Sequence, residues 1–223
     1  MVAVTVLACC AAGLVAGAYL PGIVARAPAG ERVLVGGFGP RERWSAGRGV
    51  PIVLATTVIF ALLAARLGPV AELPAYLYLA AVGVALAVID LDCRRLPNSL
   101  TLPSYAVGIA LLGAAAVVTR DGGAVVRALA GMAVLFAVYY LLALIHPAGM
   151  GFGDVKLSGV LGLYLGWLGW GELLLGTFLA FLISAVVGLG LIAAGRATLK
   201  SALPFGPFML AGALLAILVG APA

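Results

Sequence analysis

The chain has 223 residues, 65% of them hydrophobic and 9% charged, with a net charge of +5. A soluble domain is nearer half apolar and a quarter charged, so the composition excludes a soluble globular fold. It points to an all-α, polytopic integral membrane protein, whose positive excess is that of Lys and Arg in cytoplasmic loops and calls for no nucleic-acid partner.

No polar stretch is long enough to fold separately, so a single membrane domain over residues 1–223 is expected. About eight spans follow from the apolar runs, given that a span needs roughly 20 residues. The first runs from Val2 to Leu20 without a charge. No Lys or Arg precedes Arg26, so this run lacks the basic flank of a secretory signal and reads as a retained helix with its N-terminus outside. Residues 21–49 form a polar loop rich in Gly, Pro and Arg, expected to be a cytoplasmic connector. Val50 to Leu67 is the second span, and Pro74 to Ile89 the third, ending at Asp90. Leu102 to Thr119 is the fourth, entered near Pro103, where a proline fits the first helical turn. Val125 to Ile145 is the fifth, with Arg127 at its outer interface. Val155 to Trp170, Leu173 to Ala194 and Leu203 to Val219 complete the set, with Trp167 and Trp170 as interfacial anchors. Cys9 and Cys10 read as packing residues and His146 as interfacial. With one His and no C-x-x-C pair, neither a metal nor another cofactor is expected.

Two runs carry chemistry. Gly149-Met150-Gly151-Phe152-Gly153-Asp154-Val155-Lys156-Leu157 places an acid, a base and three glycines where the chain should enter the membrane. An ionisable group at that depth costs roughly 2.5–3.5 kcal/mol on insertion scales, which makes it a candidate functional group. Glycine tolerates positive φ and lets a second backbone approach. Upstream, Ile89-Asp90-Leu91-Asp92-Cys93-Arg94-Arg95-Leu96-Pro97-Asn98 also ends an apolar run in an acid. Charge placement alone fits two readings. Asp90 and Asp154 are either independent interfacial acids paired with Arg94 or Lys156, or a pair that shares acid and base work on a peptide bond. Pro204-Phe205-Gly206-Pro207 likewise fits either a helix start with proline in its first turn or broken backbone lining a site.

Gly151-Phe152-Gly153-Asp154 fits the G-x-G-D pattern of intramembrane aspartyl proteases. With Asp90 and Pro97-Asn98 before it and Pro204-Phe205-Gly206-Pro207-Phe208 after it, the chain resembles the type IV prepilin peptidases over residues 73–213. The resemblance implies an aspartic endopeptidase of the bacterial inner membrane, working at the cytoplasmic face. Its substrates would be type IV pilin-like or pseudopilin precursors of a pilus or secretion system. It implies catalytic roles for Asp90 and Asp154, and a site-shaping or substrate-binding role for Gly151, Gly153, Lys156, Pro97, Asn98, Phe205, Gly206 and Pro207. Many family members carry a larger insert, with paired C-x-x-C motifs, where residues 21–49 stand here. That insert is associated with N-methylation of the trimmed pilin, and the loop here has no cysteine.

With the N-terminus outside, ten of the thirteen Lys and Arg residues fall on the inner side and only Arg66, Arg120 and Arg127 on the outer. The same map sets Asp90 and Asp154 at inner span ends and lets Lys156 meet lipid phosphate. Two rivals remain. A proton- or cation-coupled transporter would place its acids at mid-span rather than beside glycine and proline loops. An inactive structural component of a secretion assembly would not need Asp90 and Asp154.

Overall fold

The computed structural model describes residues 2–26, 46–146, 150–198 and 203–220. Among these the chain forms eight α-helices and no strand: α1 (Val2–Arg26), α2 (Ala46–Leu67), α3 (Leu73–Cys93), α4 (Asn98–Thr119), α5 (Gly122–Ile145), α6 (Phe152–Leu168), α7 (Trp170–Ala193) and α8 (Gly206–Val219). Six of them, α1 to α5 and α7, are long and apolar enough to cross a membrane. α6 has 17 residues and α8 has 14. At about 1.5 Å per residue these two reach roughly 25 and 21 Å, short of the ~30 Å hydrocarbon core. The chain is a multi-pass helical membrane protein, and its helices sort into two compact units, residues 1–122 and 123–223.

In the first unit α1 and α2 approach closely along a glycine pair spaced four apart. A methyl group on Gly13 would stand 2.9 Å from Thr57 Cα, and one on Gly17 would stand 2.8 Å from Val53 Cα. In lipid no hydrophobic force drives helices together, so small residues that admit close packing carry association. Thr56 and Thr57 hydroxyls donate to the carbonyls of Ile52 and Val53 at 2.8 Å, which satisfies them within their own helix. α3 packs on both α1 and α2 around Cys9, Phe60, Ala64 and Leu73, so Cys9 is a packing residue. α4 packs on α3, where the Tyr78 and Ser104 hydroxyls lie 3.2 Å apart.

Three helix ends in this unit differ from the sequence reading. α1 runs through Pro21 to Arg26, and α2 begins at Ala46, so residues 21–49 are helical at both ends. Proline removes one backbone hydrogen bond, but Leu20 and Val24, on either side of Pro21, are both buried and hold the helix on its course. The middle of the expected cytoplasmic connector, residues 27–45, lies outside the described residues. α4 begins at Asn98 rather than Leu102, which puts Pro103 inside the helix rather than at its entry.

In the second unit α5 buries one stripe, Ala124, Ala128, Gly131, Leu135 and Tyr139. Gly131 meets α6 so closely that an added methyl would stand 2.6 Å from the Gly162 carbonyl oxygen. Gly162 and Gly166 form a second glycine pair spaced four apart, facing Gly131 and Arg127. α6 is buried from Asp154 to Trp167 with Lys156 the exception. It packs against α7 and α8, which close on each other through Gly176, Ala180 and Gly212.

Arg127, expected at the outer interface, binds the end of α6. Its Nε donates to the Gly166 carbonyl at 3.1 Å and its Nη2 to the Trp167 carbonyl at 2.7 Å. The last carbonyls of a helix have no partner within it, and this guanidinium supplies one to the end of α6. Trp167, expected as an interfacial anchor, is buried at 4% exposure because it sits in that packed last turn. Trp170 is 46% exposed. Arg127→Ala removes two charge-assisted hydrogen bonds and should cost on the order of 2 kcal/mol. Arg127→Lys, a single point charge without the fork, should recover only part of this. Thermal unfolding in detergent checks both.

Candidate active site

The first candidate acid belongs to the end of α3. The helix does not stop at Ile89 but continues through Asp90, Leu91 and Asp92 to Cys93. Two residues apart on a helix, the acids point about 200° apart. Asp90 is 5% exposed, while Asp92 is open to solvent. Arg94 ends the helix in the left-handed conformation (φ 52°, ψ 41°), with its N–H donating to the Asp90 carbonyl at 2.8 Å. A side chain there costs about 1–2 kcal/mol relative to glycine, so the turn is held by its surroundings. Pro97 is the N-cap of α4 and accepts from the N–H groups of Leu100 and Thr101, both at 3.1 Å. Asn98 is the first residue of α4 and is exposed. Asp90 is thus set in a last helical turn, with Pro97 starting the next helix.

The second acid opens α6. The helix starts at Phe152, so Asp154 sits inside its first turn rather than before it. Gly151 is the N-cap at φ −72° and ψ 144°, and its carbonyl accepts from the Asp154 N–H at 3.0 Å. That backbone is open to any residue, so positive φ is not what Gly151 supplies. A Cβ there would stand 3.4 Å from Asp154 Oδ2, in ordinary van der Waals contact with the carboxylate. Gly153 is the second helical residue, and Gly149 lies outside the described residues. Asp154 is 9% exposed. The Lys156 ammonium sits 4.9 Å from the centre of the Phe152 ring, a cation–π contact on the outer side of the same turn.

Phe205, Gly206 and Pro207 take the first of their two readings, a helix start. Phe205 is the N-cap of α8, buried Gly206 begins it, and Pro207 lies in its first turn. The Phe205 ring packs 5.1 Å from Phe181 and 6.3 Å from Tyr139, centre to centre. Tyr139 is 1% exposed and lies close enough to Asp154 for the carboxylate charge to bear on its phenol. The second unit therefore gathers Gly151, Gly153, Asp154 and Lys156 at the start of α6, with Phe205 in the aromatic group around Tyr139. Asp90, Pro97 and Asn98 are held by the α3–α4 connection of the first unit. Tyr139 and Arg127 escape a motif reading because both sit in an apolar run outside any signature. Among the described residues, no three of His, Cys, Asp and Glu stand close enough to share a metal ion.

This is a multi-pass helical membrane protein with one buried aspartate at the end of α3 and another at the start of α6. The type IV leader peptidase family matches residues 77–193, and the chain belongs to that family. It is 38% identical over 174 residues to the prepilin leader peptidase/N-methyltransferase of Aeromonas salmonicida, a match covering 76% of this chain and 58% of that protein. The proteins of the same description from Burkholderia pseudomallei and Pseudomonas aeruginosa are 36% and 31% identical, over 77% and 78% of this chain and 54% and 59% of theirs. The chain thus spans less than two thirds of the length of these relatives. No solved structure is significantly similar.

Proposed function

We propose that the chain is a prepilin peptidase of the aspartic type, cutting the leader from type IV pilin-like or pseudopilin precursors. The observation that carries this reading is that Asp90 and Asp154 are both buried, and both lie within the residues matched by the leader peptidase family. One carboxylate takes a proton from water as it attacks the scissile carbonyl, and the other, protonated, donates to the carbonyl oxygen. The tetrahedral intermediate then collapses with proton transfer to the leaving amine. No covalent enzyme intermediate and no metal enter this scheme. Asp154, at the positive pole of α6, takes the part of the base. Asp90, at the negative pole of α3, takes that of the acid. Gly151 and Gly153 leave space beside Asp154 for an extended substrate backbone, and Lys156 holds the first turn of α6 through Phe152. Pro97 and Asn98 shape the turn behind Asp90, as Phe205, Gly206 and Pro207 shape the entry to α8. Incubation of membranes containing the protein with a precursor that has a basic leader, a Gly and an apolar helix tests the reading. A shortened product supports it, and an intact precursor with well-inserted protein overturns it.

The proposed setting is the bacterial inner membrane, with both termini outside and the site facing the cytoplasm, following the ten-to-three division of Lys and Arg. A cysteine introduced near Gly122 should react with an impermeant reagent from outside, and one near Gly39 only after permeabilisation. The reverse pattern would place the two acids on the wrong side for this substrate.

The relatives carry N-methyltransferase in their names. The loop over residues 21–49 has no cysteine, and we expect peptidase activity without methyl transfer. Mass spectrometry of the product made by the purified protein decides it, since a mature N-terminus heavier by one methyl contradicts the expectation.

A further inference from the structure

α5 and α6 run antiparallel, and their contacts fall in a regular register. Arg127 bonds to the Gly166 carbonyl, Gly131 abuts the Gly162 carbonyl, and the Ser158 hydroxyl donates to the Leu135 carbonyl at 3.3 Å. Each step is four residues forward on α5 and four residues back on α6. The next step brings Tyr139 level with Asp154. Its side chain follows the same buried stripe, fixed between Phe181 at 5.8 Å and Phe205 at 6.3 Å. A fully buried tyrosine is held there by its ring, while its hydroxyl needs a polar neighbour. The Asp154 carboxylate is near enough for its charge to reach that phenol.

We propose that Tyr139 is a positioning residue for Asp154, its hydroxyl orienting the carboxyl from the facing helix while the ladder of α5–α6 contacts sets the height. The Asp154 Oδ2 lies toward Gly151, so a second constraint from α5 would fix the rotation of the carboxyl group. The part assigned to Tyr139 rests on the peptidase reading, in which misplacing a reacting group by about 1 Å can cost about 10²-fold.

The test compares Tyr139→Phe and Phe181→Leu. The first deletes only the hydroxyl, and the second loosens the same aromatic packing while leaving the hydroxyl in place. Cleavage of a precursor gives kcat and KM. Infrared spectroscopy of the purified protein gives the carboxyl band that disappears in Asp154→Asn, independently of activity. Tyr139→Phe should lower kcat roughly tenfold or more with little change in KM, and should shift that band. Phe181→Leu should cause a clearly smaller loss and shift, because the hydroxyl and the Phe205 contact both remain. An unshifted band with unchanged kcat in Tyr139→Phe overturns the inference, as does the same loss and shift in Phe181→Leu. If Tyr139→Phe fails to accumulate in the membrane, 3-fluorotyrosine at position 139 retains ring and hydroxyl but alters the hydroxyl's acidity, and an unchanged kcat and band then overturn it. A wild-type protein that cuts no precursor defeats the peptidase reading instead, and the band alone then decides the contact.

Discussion

Asp90→Asn and Asp154→Asn should each abolish precursor cleavage, while Asp92→Asn should keep a substantial part of it. General acid or base assistance is worth about 10²–10⁴-fold, so losing either partner takes turnover below what a gel shift detects. Asparagine has nearly the shape of aspartate and no charge, so both variants should still reach the membrane. The contrast with Asp92 follows from the run of α3. The helix carries on through both acids and turns them to opposite faces, leaving Asp90 buried and Asp92 in solvent. Asp90 also lies seven positions before Pro97, the spacing at which the family resemblance sets its first catalytic acid. Equal enzyme levels on a blot and a mobility shift of the precursor provide the measurement. An active Asp90→Asn beside a dead Asp92→Asn would mean that the register of the site is wrong.

Gly131→Val should unfold or badly distort the second unit. The first added carbon already meets the Gly162 carbonyl oxygen at 2.6 Å, Leu173 Cδ1 at 2.9 Å and Gly166 Cα at 3.0 Å. Two of these three are backbone of α6 and cannot rotate away. Overpacking costs about 1–3 kcal/mol even where side chains can adjust, and here one helix must leave the other. Because the same contact sets the level of Asp154, any protein that remains folded should cleave slowly. Gly113→Ala and Gly190→Ala are the controls. A methyl at either meets nothing within 4 Å, and these should stay within about 1 kcal/mol of wild type. Thermal unfolding in detergent together with the cleavage assay separates the outcomes.

The helical class and the number of helices were legible because lipid allows few alternatives, and unbroken apolar runs declare themselves. Helix ends were less so. Pro21 and Pro103 read as boundaries, yet both lie within helices, since buried neighbours such as Leu20 and Val24 decide the matter and no local rule registers them. Asp90 and Asp154 stood out because charge is rare in such a chain. Their different settings, one in a last turn and one in a first, needed the helix bounds. Arg127 was placed by its distance from the helix end, whereas its partners are carbonyls of α6 about 40 residues on. The glycine pairs Gly13 with Gly17 and Gly162 with Gly166 were visible as G-x-x-x-G and could have predicted both close helix pairings.

α6 is short, and nearly every residue from Asp154 onward is wrapped by protein. α5 and α7, by contrast, have 24 residues each and many exposed apolar side chains. A helix of that length reaches about 36 Å and can meet a thinner or thicker bilayer by tilting, at a fraction of a kcal/mol per Å of mismatch. α6 has no such accommodation to make. The depth of Asp154 is dictated by its neighbours in the protein, and a change of membrane thickness reaches it only second-hand, through the lean of the helices that carry it.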